Sequence, residues 1–340
     1  MRALRLHGPD DLRLEDLPDP RPGPGEVVLQ VEYAMTCATD AKIMRNGSHP
    51  AIGPCPTPMG HEVTGHVIEV GPGVTGVRSG DAVVVANSAP CGSCFWCEAG
   101  DHSLCDSLVH LWGTFAERVR VPARIVAMNM IPRPASLDPR IAPMIEPLAC
   151  AVHGADRSSA VAGDTVVILG GGVQGQFLTA RLAARGCRVF VCDPHPERRE
   201  RALRFGAVGT ADAPRDVDGV DRVRALTPDG RGADVVIEAI GTPDTWRSAV
   251  GIARRGGEVV LYGGCPPGSE VSFPTAPLHY GALRVIGTYH HTPTAVREAL
   301  RLLASPPVPL DELVGDPVGL AAVPGVLSRS GVKRPVDPAI

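Results

Sequence analysis

Four cysteines crowd one short stretch: Cys91, Cys94, Cys97 and Cys105, spaced C-x2-C-x2-C-x7-C. Four thiolates at such spacing can close a tetrahedron about Zn²⁺, and four protein ligands leave the metal no open position. The expectation is a structural zinc that pins a loop. Clustered cysteines in a chain with no export signal serve a metal more often than disulfides. A second set is dispersed. Cys37 lies in TCATD, His61 and Glu62 in PMGHEVTG, and Glu146 in IEPLACAVHG. Cys, His and carboxylate are the ligand types of a catalytic zinc that keeps one position open. Taken singly, each reads as an ordinary core cysteine, core histidine, surface acid or helix-starting acid. Their company with a nucleotide motif favours the metal.

That motif is TVVILGGGVQGQF, with Gly170-x-Gly172-x-x-Gly175 between an apolar run and a helical pattern; Val173 and Gln174 sit inside it. Gly170 permits a tight turn, Gly172 lets backbone approach a pyrophosphate, and Gly175 lets helix and strand pack closely. The helix start then offers N–H groups and a positive dipole end to phosphate. The next apolar run, CRVFVCD, ends in Asp193, at about the 20-residue distance expected of an acid that binds the ribose hydroxyls. A carboxylate there places NAD ahead of NADP. Arg198 can reach a phosphate or stack on adenine, whereas Arg199 reads as part of a solvated helix face.

These residues need two kinds of scaffold. Up to about residue 150 the chain reads as short strands and turns: VVLQVEYAM, EVTGHVIEVG and DAVVVA, with Pro/Gly clusters between them. From 151 to 290, apolar strands (TVVIL, CRVFVC, ADVVIE, GEVVLYGG) alternate with helical stretches such as GQFLTARLAARG, PERRERALRFG and TWRSAVGIARRG. That alternation predicts a parallel sheet covered on both faces. A last helix, TAVREALRLLAS, and a tail running to residue 340 return to the first domain. The fold class is thus α/β, with a β-barrel domain and a doubly wound sheet. At 340 residues and net charge -4, the chain has no basic block for nucleic acid, and no apolar run reaches the roughly 18 residues of a membrane span. The opening MRALRLHGPDDLRLEDLP carries charges throughout, so the expected location is the cytoplasm. Basic residues are nearly all arginine, the two lysines being Lys42 and Lys333, and this rarity sets Lys42 apart.

With its motifs in this order, the chain resembles the zinc-dependent medium-chain dehydrogenases, the family of alcohol, sorbitol and threonine dehydrogenases. CATD, GHEVTGHVIEVGPGVTGVRSGDAVVV, CGSCFWCEAGDHSLC, GTFAERVRVP and GGGVQGQ carry the resemblance, which covers nearly the whole chain. It implies a GroES-like β-barrel catalytic domain (1–150, completed by about 291–340) and a Rossmann domain (151–290). It implies two zinc ions per chain and NAD or NADP. Cys37 and His61 are then catalytic zinc ligands, with Glu62 or Glu146 as the third. A cysteine usual in alcohol dehydrogenases is replaced by Glu146, which points to the polyol branch. Thr39 matches the hydroxyl that takes the substrate proton. Lys42 stands where relatives often carry a relay histidine, and an ammonium holds its proton too tightly at neutral pH for that relay. Tyr289 and His290, in GTYHHTP, are expected near the nicotinamide ribose or substrate. Asn46, His49 and His291 are further polar residues suited to a hydroxyl-rich ligand. The resemblance implies a small-molecule substrate, oxidised or formed at a secondary alcohol, and a homodimer or homotetramer. An aminocyclitol or aminosugar ring of antibiotic biosynthesis is the preferred substrate. Polyols, threonine and sugar phosphates are alternatives, and a non-catalytic cofactor-binding relative is the alternative of another class.

Overall fold

The β-branched runs of the first half form antiparallel strands. Val27–Met35 pairs with Val63–Val70, which pairs in turn with Ala82–Val85; Arg118–Val121 and Pro335–Val336 also pair with Val27–Met35. Their buried sides, with Val27, Leu29, Val31, Val63, Val67, Val83 and Phe115, make one apolar core. The segment Pro335–Val336 brings the end of the chain into this sheet, so the first unit is built from three stretches. In this computed structural model, which describes residues 1–48, 52–214, 217–328 and 332–340, that unit comprises Met1–Ala149, Thr292–Pro306 and Leu310–Ile340. His49 lies outside the described residues.

The second unit, Cys150–His291 with Pro307–Pro309, holds a parallel sheet. We label its strands β1 (Thr165–Leu169), β2 (Arg188–Cys192), β3 (Gly209–Ala211), β4 (Ala233–Glu238), β5 (Ala253–Leu261) and β6 (Arg284–Gly287). Their order is β3-β2-β1-β4-β5-β6, which is the dinucleotide-binding order with its reversal beside β1. β1 is buried at all five residues, as expected of a central strand covered on both faces. The stretch TWRSAVGIARRG departs from its expected helix. The helix Pro243–Ile252 ends there, and Ala253 turns extended (φ -64, ψ 145) to begin β5. Gly256, at φ 65, supplies a backbone turn that a continuing helix would not contain. Among the described residues, no helix is long and apolar enough to cross a membrane.

Candidate functional site

The ten cysteines are all free thiols. Cys91, Cys94, Cys97 and Cys105 bring their sulfurs within 4.8 Å of one another. Cys91 Sγ stands 3.9 Å from Cys97 Sγ, and Cys94 Sγ stands 3.5 Å from it. A Zn–S bond of about 2.3 Å puts tetrahedral sulfurs about 3.8 Å apart, so the cage matches that ion. Backbone N–H groups already favour thiolate here. The Ser93 N–H, and then its hydroxyl, lower the Cys91 thiol to about 5, while desolvation pushes Cys97 up to about 12. A bound cation would settle this disparity by taking all four as thiolates.

The second cluster is assembled from separate elements. Cys37 is the N-cap of the helix Ala38–Asn46, and its sulfur accepts the Thr39 N–H at 3.4 Å. The same first turn buries Asp40, whose Oδ1 meets His61 Nδ1 at 3.1 Å. One helix start therefore places a ligand and the carboxylate that orients another; an acid on the far nitrogen of a metal histidine fixes its ring. His61 follows Gly60, which sits at φ 88; a Cβ there would come within 2.6 Å of Thr114 Oγ1 and 2.7 Å of the Phe115 nitrogen. Only glycine lets the loop pass so close. Cys37, His61 and Glu62 bring one donor atom each within 4.8 Å. Desolvation lowers His61, but Asp40 and Cys37 raise it well above its ordinary value. Desolvation raises Cys37, yet the Lys333 ammonium and then His61 bring it down to about 7.

Three observations were not visible in the sequence. Lys333 is buried, and its Nζ donates to Glu62 Oε1 at 2.5 Å and to the Thr36 carbonyl at 2.9 Å. Desolvation lowers Lys333, and the Glu62 carboxylate more than reverses this. Glu62 Oε2 and Asp40 Oδ2 are buried without a hydrogen-bond partner. Buried carboxylate oxygens left over in this way call for a cation, and the thiol of Cys37, the imidazole of His61 and the carboxylate of Glu62 are a donor set that fits a zinc ion. Third, the Trp112 ring meets His61 edge-on at 5.2 Å, an apolar wall beside the donors. Edge-on aromatic pairs are a signal only geometry reveals.

Glu146, buried in the first turn of the helix Ile145–Arg157, stands outside this 4.8 Å cluster; its charge reaches the cluster by raising Glu62. Glu62 thus lies with Cys37 and His61, and Glu146 lies beyond that group of three. Thr39 and Lys42 are exposed on the helix Ala38–Asn46.

In the second unit, Gly172 is the N-cap of the helix Val173–Ala184, and having no side chain it makes no capping bond to the first-turn N–H groups. Gly170 turns at φ 105, and a Cβ on Gly175 would fall 1.8 Å from the Gly170 carbonyl oxygen. This is an anion cradle that a side chain would fill. Val173 and Gln174 are half-buried in that first turn. Asp193 is buried at the end of β2. Its Oδ2 accepts from the Gly171 N–H at 2.8 Å and its Oδ1 from the His195 N–H at 2.9 Å, with Arg198 3.5 Å away. The acid is thereby held at the glycine loop itself. Arg199 is not a solvated residue: its guanidinium donates to the Asp193 carbonyl at 2.7 Å, because the helix start turns it back onto the strand end. Tyr289 is 55% exposed just beyond β6, next to His290 at φ 61.

Residues 23–132 match the Alcohol dehydrogenase GroES-like domain and residues 175–305 the Zinc-binding dehydrogenase family. The chain is 35% identical over 303 residues to an L-threonine 3-dehydrogenase of Pyrococcus abyssi, covering 87% of this chain and 84% of that one. It is 31% identical to a sorbitol dehydrogenase of Halalkalibacterium halodurans, over 89% of this chain and 88% of the relative. A crystal structure from Sinorhizobium meliloti, described as a zinc-binding dehydrogenase bound to NADP, superposes with a TM-score of 0.87 at 32% identity, covering 99% of both chains.

Proposed function

Since the chain belongs to the zinc-dependent medium-chain dehydrogenases, we propose that it interconverts a secondary alcohol and a ketone on a polyhydroxylated small molecule, with NAD as the favoured carrier. The observation that carries the reading is the cluster of Cys37, His61 and Glu62, with a buried carboxylate oxygen left unsatisfied. When bound, zinc supplies a Lewis acid and the nicotinamide a two-electron acceptor or donor. The chain's own residues do the rest. Cys37 and His61 hold the ion, and Asp40 keeps the His61 ring turned toward it. The Lys333 ammonium balances the Glu62 charge through one carboxylate oxygen, and the other oxygen is buried without a partner. Trp112 keeps water from one side of His61. The Thr39 hydroxyl, two residues from Cys37, receives the substrate proton, and Lys42 binds the cofactor's ribose or phosphate rather than relaying that proton. Gly170 to Gly175 seat the pyrophosphate, Asp193 and Arg198 the adenosine ribose, and Tyr289 borders the nicotinamide ribose. Cys91, Cys94, Cys97 and Cys105 hold the second zinc.

The substrate follows the named relatives, which act on threonine and sorbitol, and Glu146 adds a buried acid suited to hydroxyls or amines. The narrower choice of an aminocyclitol ring has no support among those relatives; a panel decides it. Purified protein with counted zinc would be offered sorbitol, xylitol, threonine, myo-inositol and 2-deoxy-scyllo-inosamine, each with NAD⁺ and NADP⁺. We expect turnover of at least one polyol, faster with NAD⁺. Two zinc ions per chain with no turnover of any alcohol or ketone would instead support a non-catalytic binding protein.

A further inference from the structure

We infer that Cys150 and His290 form a reactive thiol–imidazole pair, a site where electrophiles of the α,β-unsaturated carbonyl class add covalently to the chain. Both residues belong to the second unit. The Cys150 sulfur and a His290 ring nitrogen lie within 4.8 Å of each other. The thiolate, not the thiol, is the nucleophile, and an imidazole beside a cysteine takes its proton and stabilises the anion that remains.

Each partner is held in place. Cys150 is half-buried in the helix Ile145–Arg157, between the buried Ala149 and Ala151. Its sulfur is thus carried on a rigid element while part of the residue stays accessible. His290 sits at φ 61, a left-handed conformation that few residues other than glycine adopt. Its neighbours divide there: Tyr289 is 55% exposed and His291 only 3%. The His290 ring packs on the His291 ring at 4.0 Å and stands 5.5 Å from the Tyr289 ring. Contact with a buried ring limits how far the imidazole can swing.

The chemistry is an addition. The sulfur bonds to the β carbon of the electrophile, the π pair of its C=C moves to the α carbon, and the proton lent to His290 completes that carbon. No leaving group, oxidant or further reactant is needed. A disulfide suits the place less well: among the described residues, no second sulfur joins Cys150 and His290 within 4.8 Å. Cys55 is the natural contrast. It is also half-buried, but its thiol donates to the Gly47 carbonyl at 3.2 Å, an oxygen too weakly basic to remove the proton.

The test treats zinc-loaded wild type and His290→Asn with limiting N-ethylmaleimide at neutral pH. Digestion and mass spectrometry follow adduct growth at Cys150 and Cys55 in the same sample. Asparagine tolerates the left-handed backbone, so this substitution removes the imidazole and keeps the turn. Thermal melts check each protein, and His290→Gly, which takes the turn without strain, serves as the second variant. In wild type we expect Cys150 to react about tenfold faster than Cys55, and in the variants we expect that advantage to vanish. A wild-type Cys150 no faster than Cys55 would overturn the inference without any variant. A fast Cys150 whose rate is unchanged when His290 is replaced would overturn it too, since accessibility alone would then set the rate.

Discussion

The two sulfur-bearing clusters of the first unit are built on opposite plans. In the first, all four ligands come from one loop of 15 residues between Cys91 and Cys105, and nothing else charged is needed. In the second, Cys37 and His61 are 24 positions apart, and a lysine 271 residues from Glu62 completes the charge balance. A closed cage of thiolates stabilises its loop and admits no further ligand. A mixed set leaning on a buried ammonium keeps spare coordination at the cost of long-range dependence on the fold. Stability is thus invested in the first cluster and chemistry in the second.

Substitutions can break that comparison. The largest effect is expected from Cys37→Ala. It should lose one zinc per chain and about a thousandfold or more of kcat/KM, as removal of a Lewis acid implies, while its Tm stays within a few degrees of wild type. Atomic absorption beside steady-state rates checks this, and undiminished turnover would refute the assignment. Next comes Cys94→Ala, with the inverse pattern: a Tm lower by about 10 °C, loss of the other zinc, and largely retained activity per folded molecule at low temperature. If the two variants behaved alike, the division between structure and chemistry would fail. Lys333→Met strands the Glu62 charge in the interior and should cost about 3 kcal/mol in denaturant unfolding. Glu62→Gln in the same background should recover much of it, and a cycle without coupling would mean that the pair is incidental. Smallest is Asp40→Asn, which leaves His61 in place but weakly oriented; zinc affinity by chelator competition should fall about tenfold.

The same contrast governs what could be read before the structure. Cys91 to Cys105 are legible because spacing alone encodes a local cage. Cys37, His61 and Glu62 each look ordinary in sequence and gain meaning from family resemblance and the company of Gly170 to Gly175. The parallel sheet was legible from apolar runs such as TVVIL. The helix before β5 is shorter than its sequence suggests, because ARRG carries helix-compatible residues and nothing local signals the change to strand at Ala253. Of the two lysines, Lys42 stands in a motif yet is exposed, whereas Lys333, in a tail whose sequence has no motif, is buried. Trp112 against His61 and Cys150 against His290 are tertiary pairings that no periodicity encodes.

The bond between Lys333 and Glu62 also orders events in time. A ribosome delivers the whole cysteine loop by residue 105, so that site can capture its ion while most of the chain is still unmade. Glu62, by contrast, waits for Lys333 before its counter-charge exists. The two clusters are therefore completed at different stages of synthesis, the cysteine loop early and the Glu62–Lys333 pair only when the tail is made.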